Sequence, residues 1–380
     1  MKPKKALRAN RSGYILSESL DFWMTGGVSI VVMFLLLVYI FFTGVPQSTA
    51  NITSILGTAI VLQLLINWPH FMGAYRLIYT PKSNIKRYKS ATIYIPSVLL
   101  LILIVGLVTS EPTEGTVSLF SVNQDVTYFC WLVAAFYLAW HYTGQAWGMI
   151  ATYSKLSQLT LKKSERLTLR LGLRTLLAWH VIWGAQDLPA EWFGGVLHAN
   201  IDMLLSLVNI AACLAFFASS MVWYGVYLRT KRIPDKRILV SWLSIYLWYF
   251  VLFFMPEAYL LVQASHALQY LPFPMRVELN RRQANLGDIK QFALKAWAIK
   301  YYVLLLSAGI VFFYFPEFIS IENQQFTFAV LVSSLINIHH YFVDSCIWRI
   351  SNAEVRRELF AHLETKNVKL DYVMLKASDG

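Results

Sequence analysis

Residues 23–44 read Trp-Met-Thr-Gly-Gly-Val-Ser-Ile-Val-Val-Met-Phe-Leu-Leu-Leu-Val-Tyr-Ile-Phe-Phe-Thr-Gly and contain no charged side chain. A helix of this length crosses the hydrocarbon of a bilayer, which takes about 20 mostly apolar residues. The stretch follows a basic segment holding Lys2, Lys4, Lys5, Arg8 and Arg11. That order resembles a signal peptide, but the apolar run is too long for one and reads as an uncleaved first span. Working outward, similar runs recur at 55–79, 91–110, 126–153, 171–187, 202–228, 238–255, 258–275, 294–315 and 327–348. Turn and charge signals such as Thr80-Pro81-Lys82 and Lys231-Arg232-Ile233-Pro234 separate them. The pair around Pro256-Glu257 reads either as a tight hairpin or as one re-entrant unit.

Composition agrees with that reading. Of 380 residues, 57% are hydrophobic and 14% charged, against about 25% charged in a soluble domain. A soluble globular enzyme and a disordered regulator are both excluded. The expected fold is all-α: a polytopic membrane bundle of about ten helices. Orientation follows from the basic residues, because cytoplasmic loops carry an excess of Lys and Arg. Alternate connections hold Lys82, Lys86, Arg87 and Lys89; Lys155, Lys162, Lys163, Arg166 and Arg170; Arg229, Lys231, Arg232, Lys236 and Arg237; and Arg276, Arg281, Arg282 and Lys290. The opposite loops hold acids such as Glu111, Glu114, Glu191 and Glu317 but no Lys or Arg. Both termini are therefore expected in the cytoplasm, of a bacterial inner membrane. The net charge of +12 then needs no nucleic acid partner.

Three parts are expected: a basic cytoplasmic segment over 1–22, a transmembrane domain over 23–349, and a cytoplasmic tail over 350–380. In the tail, Ser351-Asn352-Ala353-Glu354 fits a capping box before a short amphipathic helix. Cys130, Cys213 and Cys346 lie far apart in apolar segments and read as small core residues.

The histidines carry the functional signal. His70, His141, His180, His266, His339 and His340 fall within the expected spans, where an ionisable residue is a functional-site hypothesis. Counted from the cytoplasmic helix ends, His70, His141, His180, His266 and His340 lie roughly 13–18 Å deep at 1.5 Å per residue. Side chains from separate helices thus share one layer, as ligands of a common metal would. Gln145 follows His141 by four residues, Gln269 follows His266 by three and Asp344 follows His340 by four, so each shares a helix face with its histidine. Those three are expected to orient the ligands, as metal-bound histidines require, and Asp344 can also ligate directly. His70, His141, His266 and His340 are the expected ligands, with His339 a fifth candidate. Tyr142 and Tyr270 are expected proton or hydrogen-bond donors. His180 has no amide or carboxylate at helical spacing, and its part is left open. Pro69 is expected to break the second helix beside His70.

Imidazole suits iron, copper and zinc, and a buried histidine layer suits a redox metal with a hydrophobic small-molecule substrate drawn from the lipid bilayer. Pro69-His70, His141-Tyr142-Thr143-Gly144-Gln145, His266 and His340-Tyr341-Phe342-Val343-Asp344 come in an order similar to that of the bacterial membrane-bound beta-carotene dioxygenases (the Brp/Blh family). The resemblance implies a non-haem iron centre that cleaves or oxidises a polyene or other isoprenoid; a fatty substrate also suits the buried histidine layer. The chain departs from that pattern in its greater length, in Gln145 where the family favours an acid, and in lacking a glycine after Pro69-His70. Two other readings carry different expectations: a haem-binding electron-transfer protein with paired histidine ligands, and a histidine-relay transporter or proton channel. An oxidoreductase would also need an electron donor where its reaction consumes reducing equivalents.

Overall fold

A computed structural model describes residues 13–44, 49–110, 120–191, 195–286, 291–320, 327–348 and 352–363. Among these residues the chain is all-helical, with no strand. The helices are α1 (Glu18–Thr43), α2 (49–79), α3 (Lys82–Arg87), α4 (Ser90–Val108), α5 (Gln124–Leu156), α6 (Lys163–Gly184) and α7 (Val196–Thr230). They continue as α8 (Lys236–Phe254), α9 (Tyr259–Tyr270), α10 (Pro272–Leu286), α11 (291–318), α12 (Phe328–Ile347) and α13 (353–363). Polar side chains start several of them by accepting a free backbone N–H, as Ser17 does from Leu20, Asn123 from Val126 and Thr327 from Val330.

Among the described residues, six helices are long and apolar enough to cross a membrane: α1, α4, α7, α8, 293–318 of α11, and α12. The chain therefore has the makings of a multi-pass membrane protein in contact with lipid. The other four stretches expected to span are also helical. In α2 and α5 polar residues such as Gln63, Asn67, His70 and Thr143 turn inward and are buried. In α6, Arg166, Arg170 and Arg174 form an exposed row at helical spacing. The stretch expected at 258–275 is divided at Leu271 between α9 and α10, and a short turn at Pro256–Ala258 joins α8 to α9.

Proline leaves a recurrent mark. Each of the π-helical turns Gln63–Asn67, Ser90–Tyr94 and Ile310–Tyr314 ends two residues before a proline, at Pro69, Pro96 and Pro316. A proline inside a helix lacks an N–H and its ring crowds the carbonyl four residues back. A turn widened by one residue moves that carbonyl aside. Helix α2 is thus widened ahead of Pro69 rather than broken, and the Tyr302 hydroxyl on α11 donates to the Leu65 carbonyl freed there. Gly309 lets the same pair of helices close up, since a Cβ built on it would lie 2.7 Å from the Trp68 Cβ. Next to it, Trp68 stacks on Phe313 at 5.6 Å between centroids.

At the end where α1 begins, Asp21 is fully buried and accepts backbone N–H groups from Ile15, Leu16 and Ser17 at 2.6, 2.8 and 3.3 Å. Arg237 reaches the Gly13 carbonyl at 2.7 Å and Asp235 at 2.5 Å, and Arg276 donates to the Ile15 carbonyl. These contacts tie the segment before α1 to α8 and α10, and the first helix begins at Glu18 rather than at residue 23. The tail helix α13 buries Leu359 and Phe360. Its start is capped by Asn352, whose side chain accepts the Glu354 N–H at 3.0 Å; Ser351 lies outside the described residues.

Candidate metal centre

Three helices bring four donors together. His70 comes from α2, His141 from α5, and His340 with Asp344 from successive turns of α12. Each offers one ligand atom, and these atoms lie within 4.8 Å of one another. All four side chains are at most 9% exposed. His340 Nε2 stands 3.4 Å and His141 Nε2 3.6 Å from the same Asp344 oxygen. The Nε2 atoms of His70, His141 and His340 are buried and have no hydrogen-bond partner.

Orphaned buried nitrogens of this kind are costly unless something binds them. Donors at about 2.1 Å from one ion stand about 3–4 Å apart, so small side-chain rotations would close this group on an ion. The residues present fit a metal: three imidazoles and one carboxylate can hold it.

The tautomer of His70 follows from a chain of hydrogen bonds. The Leu260 carbonyl can only accept, so the Gln63 amide group that meets it at 2.7 Å is the NH2. Gln63 then offers its oxygen to the Asn67 NH2 at 2.5 Å. Asn67 in turn presents its oxygen to His70 Nδ1 at 3.3 Å. Nδ1 therefore carries the hydrogen and Nε2 presents its lone pair to the cluster. The π-helical turn supplies this arrangement, since it contains both Gln63 and Asn67.

Asp344 is held from the other side. The Tyr270 hydroxyl donates to Asp344 Oδ1 at 2.9 Å and accepts from Trp348 Nε1 at 2.7 Å. One carboxylate oxygen is thereby committed to Tyr270, leaving Oδ2 to face His141 and His340.

The remaining candidates fall in three places. His266 adjoins the cluster, its ring 4.7 Å from that of His141 and 5.1 Å from that of His70, but it lies outside the set of four. Its two ring nitrogens are buried without partners. Tyr142 packs on His266 at 4.4 Å. His339 points away: its Nε2 is 2.8 Å from the Ala91 carbonyl, and its ring stacks on Tyr75. Consecutive helical residues diverge by about 100°, so His340 and His339 cannot both face the cluster. His180 lies against Trp183 and Tyr249 instead.

Gln145 and Gln269 meet each other at 3.5 Å but do not touch the ring nitrogens they were expected to orient. Gln145 donates to the His266 backbone carbonyl at 3.0 Å, and Gln269 donates to the Thr25 carbonyl and to Ser244. The orienting residues are Asn67, Tyr270 and Trp348. Asn67 lies three residues before His70 and Trp348 four after Asp344, so the same spacing rule applied in both directions finds them.

No family model, curated protein or solved structure matches the chain. Its function is therefore argued from the site.

Proposed function

We propose that the protein is a membrane-embedded metal-dependent oxidoreductase, in which His70, His141, His340 and Asp344 hold a non-haem iron ion that acts on a lipid-soluble substrate. The carrying observation is the convergence of three unpartnered imidazole nitrogens and one carboxylate from three helices within 4.8 Å. Histidines beside a single carboxylate suit iron with open positions, while copper or zinc would change the chemistry. Bound there, iron would supply oxygen activation. The chain's own part is to orient the donors through Asn67 and Tyr270 and to keep water out with Phe71, Tyr142 and Tyr341. The motif likeness to beta-carotene dioxygenases favours a polyene or other isoprenoid, with a fatty substrate as the other lipid-soluble class. Ten spans, cytoplasmic termini and a bacterial inner membrane belong to the same proposal, supported by the one-sided distribution of Lys and Arg. An electron donor joins it where the reaction consumes reducing equivalents.

The packing speaks against the two competitors. The His70 and His141 rings stack at 6.3 Å, but His340 stands edge-on 4.4 and 5.0 Å from them and His266 edge-on 5.1 and 4.7 Å, which leaves no flat slot for a haem between them. A proton relay strings its groups along the membrane normal, whereas these groups converge on one point.

Elemental analysis with a visible spectrum on detergent-purified protein tests the reading. Near-stoichiometric iron without a Soret band is expected, lost in His70→Ala, His141→Ala, His340→Ala and Asp344→Ala variants that still fold. Metal-free protein purified without chelator would overturn it, as would full metal retention in all four variants.

A further inference from the structure

Beside the four donors a cleft of about 370 Å³ runs between α5 and α12, with His141 and Asp344 in its wall. Gly144 and Gly148 also line it, one turn apart in the middle of a 33-residue helix. Glycine weakens a helix interior, and is kept there when a neighbour needs the space. Yet a Cβ built on either residue meets nothing within 4 Å. No part of the described protein explains these two glycines.

Two further features show what the space is for. Thr152 is 1% exposed and lines the cleft, and its hydroxyl has no hydrogen-bond partner. Gln145 lines it nearer the metal site, and its side-chain oxygen is likewise buried and unpartnered. Both oxygens can accept from a hydroxyl group. The rest of the lining is predominantly apolar and aromatic, including Phe273, Tyr341 and Trp348. At the mouth, Trp140 is 62% and Phe342 36% exposed. Phe342 belongs to α12, one of the six described helices long and apolar enough to span a membrane, which puts the mouth on a side that meets lipid in the proposed membrane arrangement.

We propose that this cleft admits a slender, hydroxyl-bearing lipid directly from the bilayer, laid along Gly144 and Gly148 with its hydroxyl bonded by Thr152 or Gln145. Gly148 and Gly144 then set the width of chain accepted. The proposal rests on the metal-site reading only for where the chain reacts, not for its binding.

The test uses the full chain in phosphatidylcholine nanodiscs, with hexadecanol carrying a nitroxide on its tail as the probe. Wild type is expected to immobilise a fraction of the probe in the electron spin resonance spectrum. Gly148→Leu fills the open space and should abolish that fraction while leaving metal content unchanged. Ser345→Phe, on the opposite wall, is a second variant should the first fail to fold, and should act alike. An immobilised fraction equal in wild type and both variants overturns the proposal. So does a dimer that Gly148→Leu dissociates without altering probe binding, which would make the glycines a helix-packing surface for a second copy. Retained probe binding in His70→Ala, or in a wild type without metal, supports the cleft even where the metal reading fails.

Discussion

Asn67→Leu separates the tautomer argument from mere proximity of histidines. Asn67 touches no other donor of the cluster, yet its side-chain oxygen sets the hydrogen on His70 Nδ1 across 3.3 Å. Leucine keeps the branched shape at somewhat larger volume and removes both ends of the relay. His70 then samples the tautomer with hydrogen on Nε2, which cannot ligate, and its ring is free to turn. Loss of such an outer partner typically weakens metal binding 10–100-fold, about 1.4–2.8 kcal/mol. Gln63 loses its partner as well, which costs about 1–3 kcal/mol of stability for an unsatisfied buried group. Asn67→Asp keeps an acceptor for Nδ1 while also losing the donor to Gln63, and should retain more affinity than the leucine variant. The assay is a chelator competition on iron- and zinc-loaded protein, alongside thermal unfolding in one detergent. Leucine and aspartate variants of equal affinity, with His70→Ala still abolishing binding, would refute the tautomer chain.

Three further outcomes follow from the geometry. Tyr270→Phe removes the donor to Asp344 Oδ1 and should weaken metal binding by about 10-fold or more without abolishing it, read in the same competition. His339→Ala should leave metal content unchanged and lower thermal stability by about 0.6–1.7 kcal/mol, the range for a polar contact between membrane helices; loss of metal would contradict the placement of its ring against Ala91. Outside the membrane, Arg87 holds the Glu354 carboxyl below its ordinary value of 4.5, tying α3 to α13. A depressed carboxylate contributes stability above its unfolded value and loses it as pH falls through the folded one. Proteolysis of the tail should therefore rise as pH drops below about 4.5, and Glu354→Gln should remove that pH dependence.

The membrane class and the helical content were legible without coordinates because burying a backbone in lipid leaves few options: apolar runs of spanning length form helices. The histidine layer was legible for a related reason. Depth along a helix is linear in residue number, so His70, His141, His266 and His340 could be placed at one level by counting. Facing residues on one helix were also accessible, which is why Asp344 was found with His340 and why Asn67 and Trp348 lay within reach of the same rule.

What counting cannot supply is the rotation of each helix about its own axis and the choice of neighbours. His180 shares the depth of the others yet meets Trp183 and Tyr249, since depth says nothing about which helices adjoin. His339 and His340 differ by one residue, and packing alone selects the one that faces the cluster. The π-helical turn before Pro69 shifts helical phase locally, and with it the side chains that reach His70. Gln145 and Gln269 share faces with histidines but are claimed by carbonyls on other helices. Sequence thus carries height and face through local periodicity, while partners across helices depend on long-range packing that no local pattern encodes.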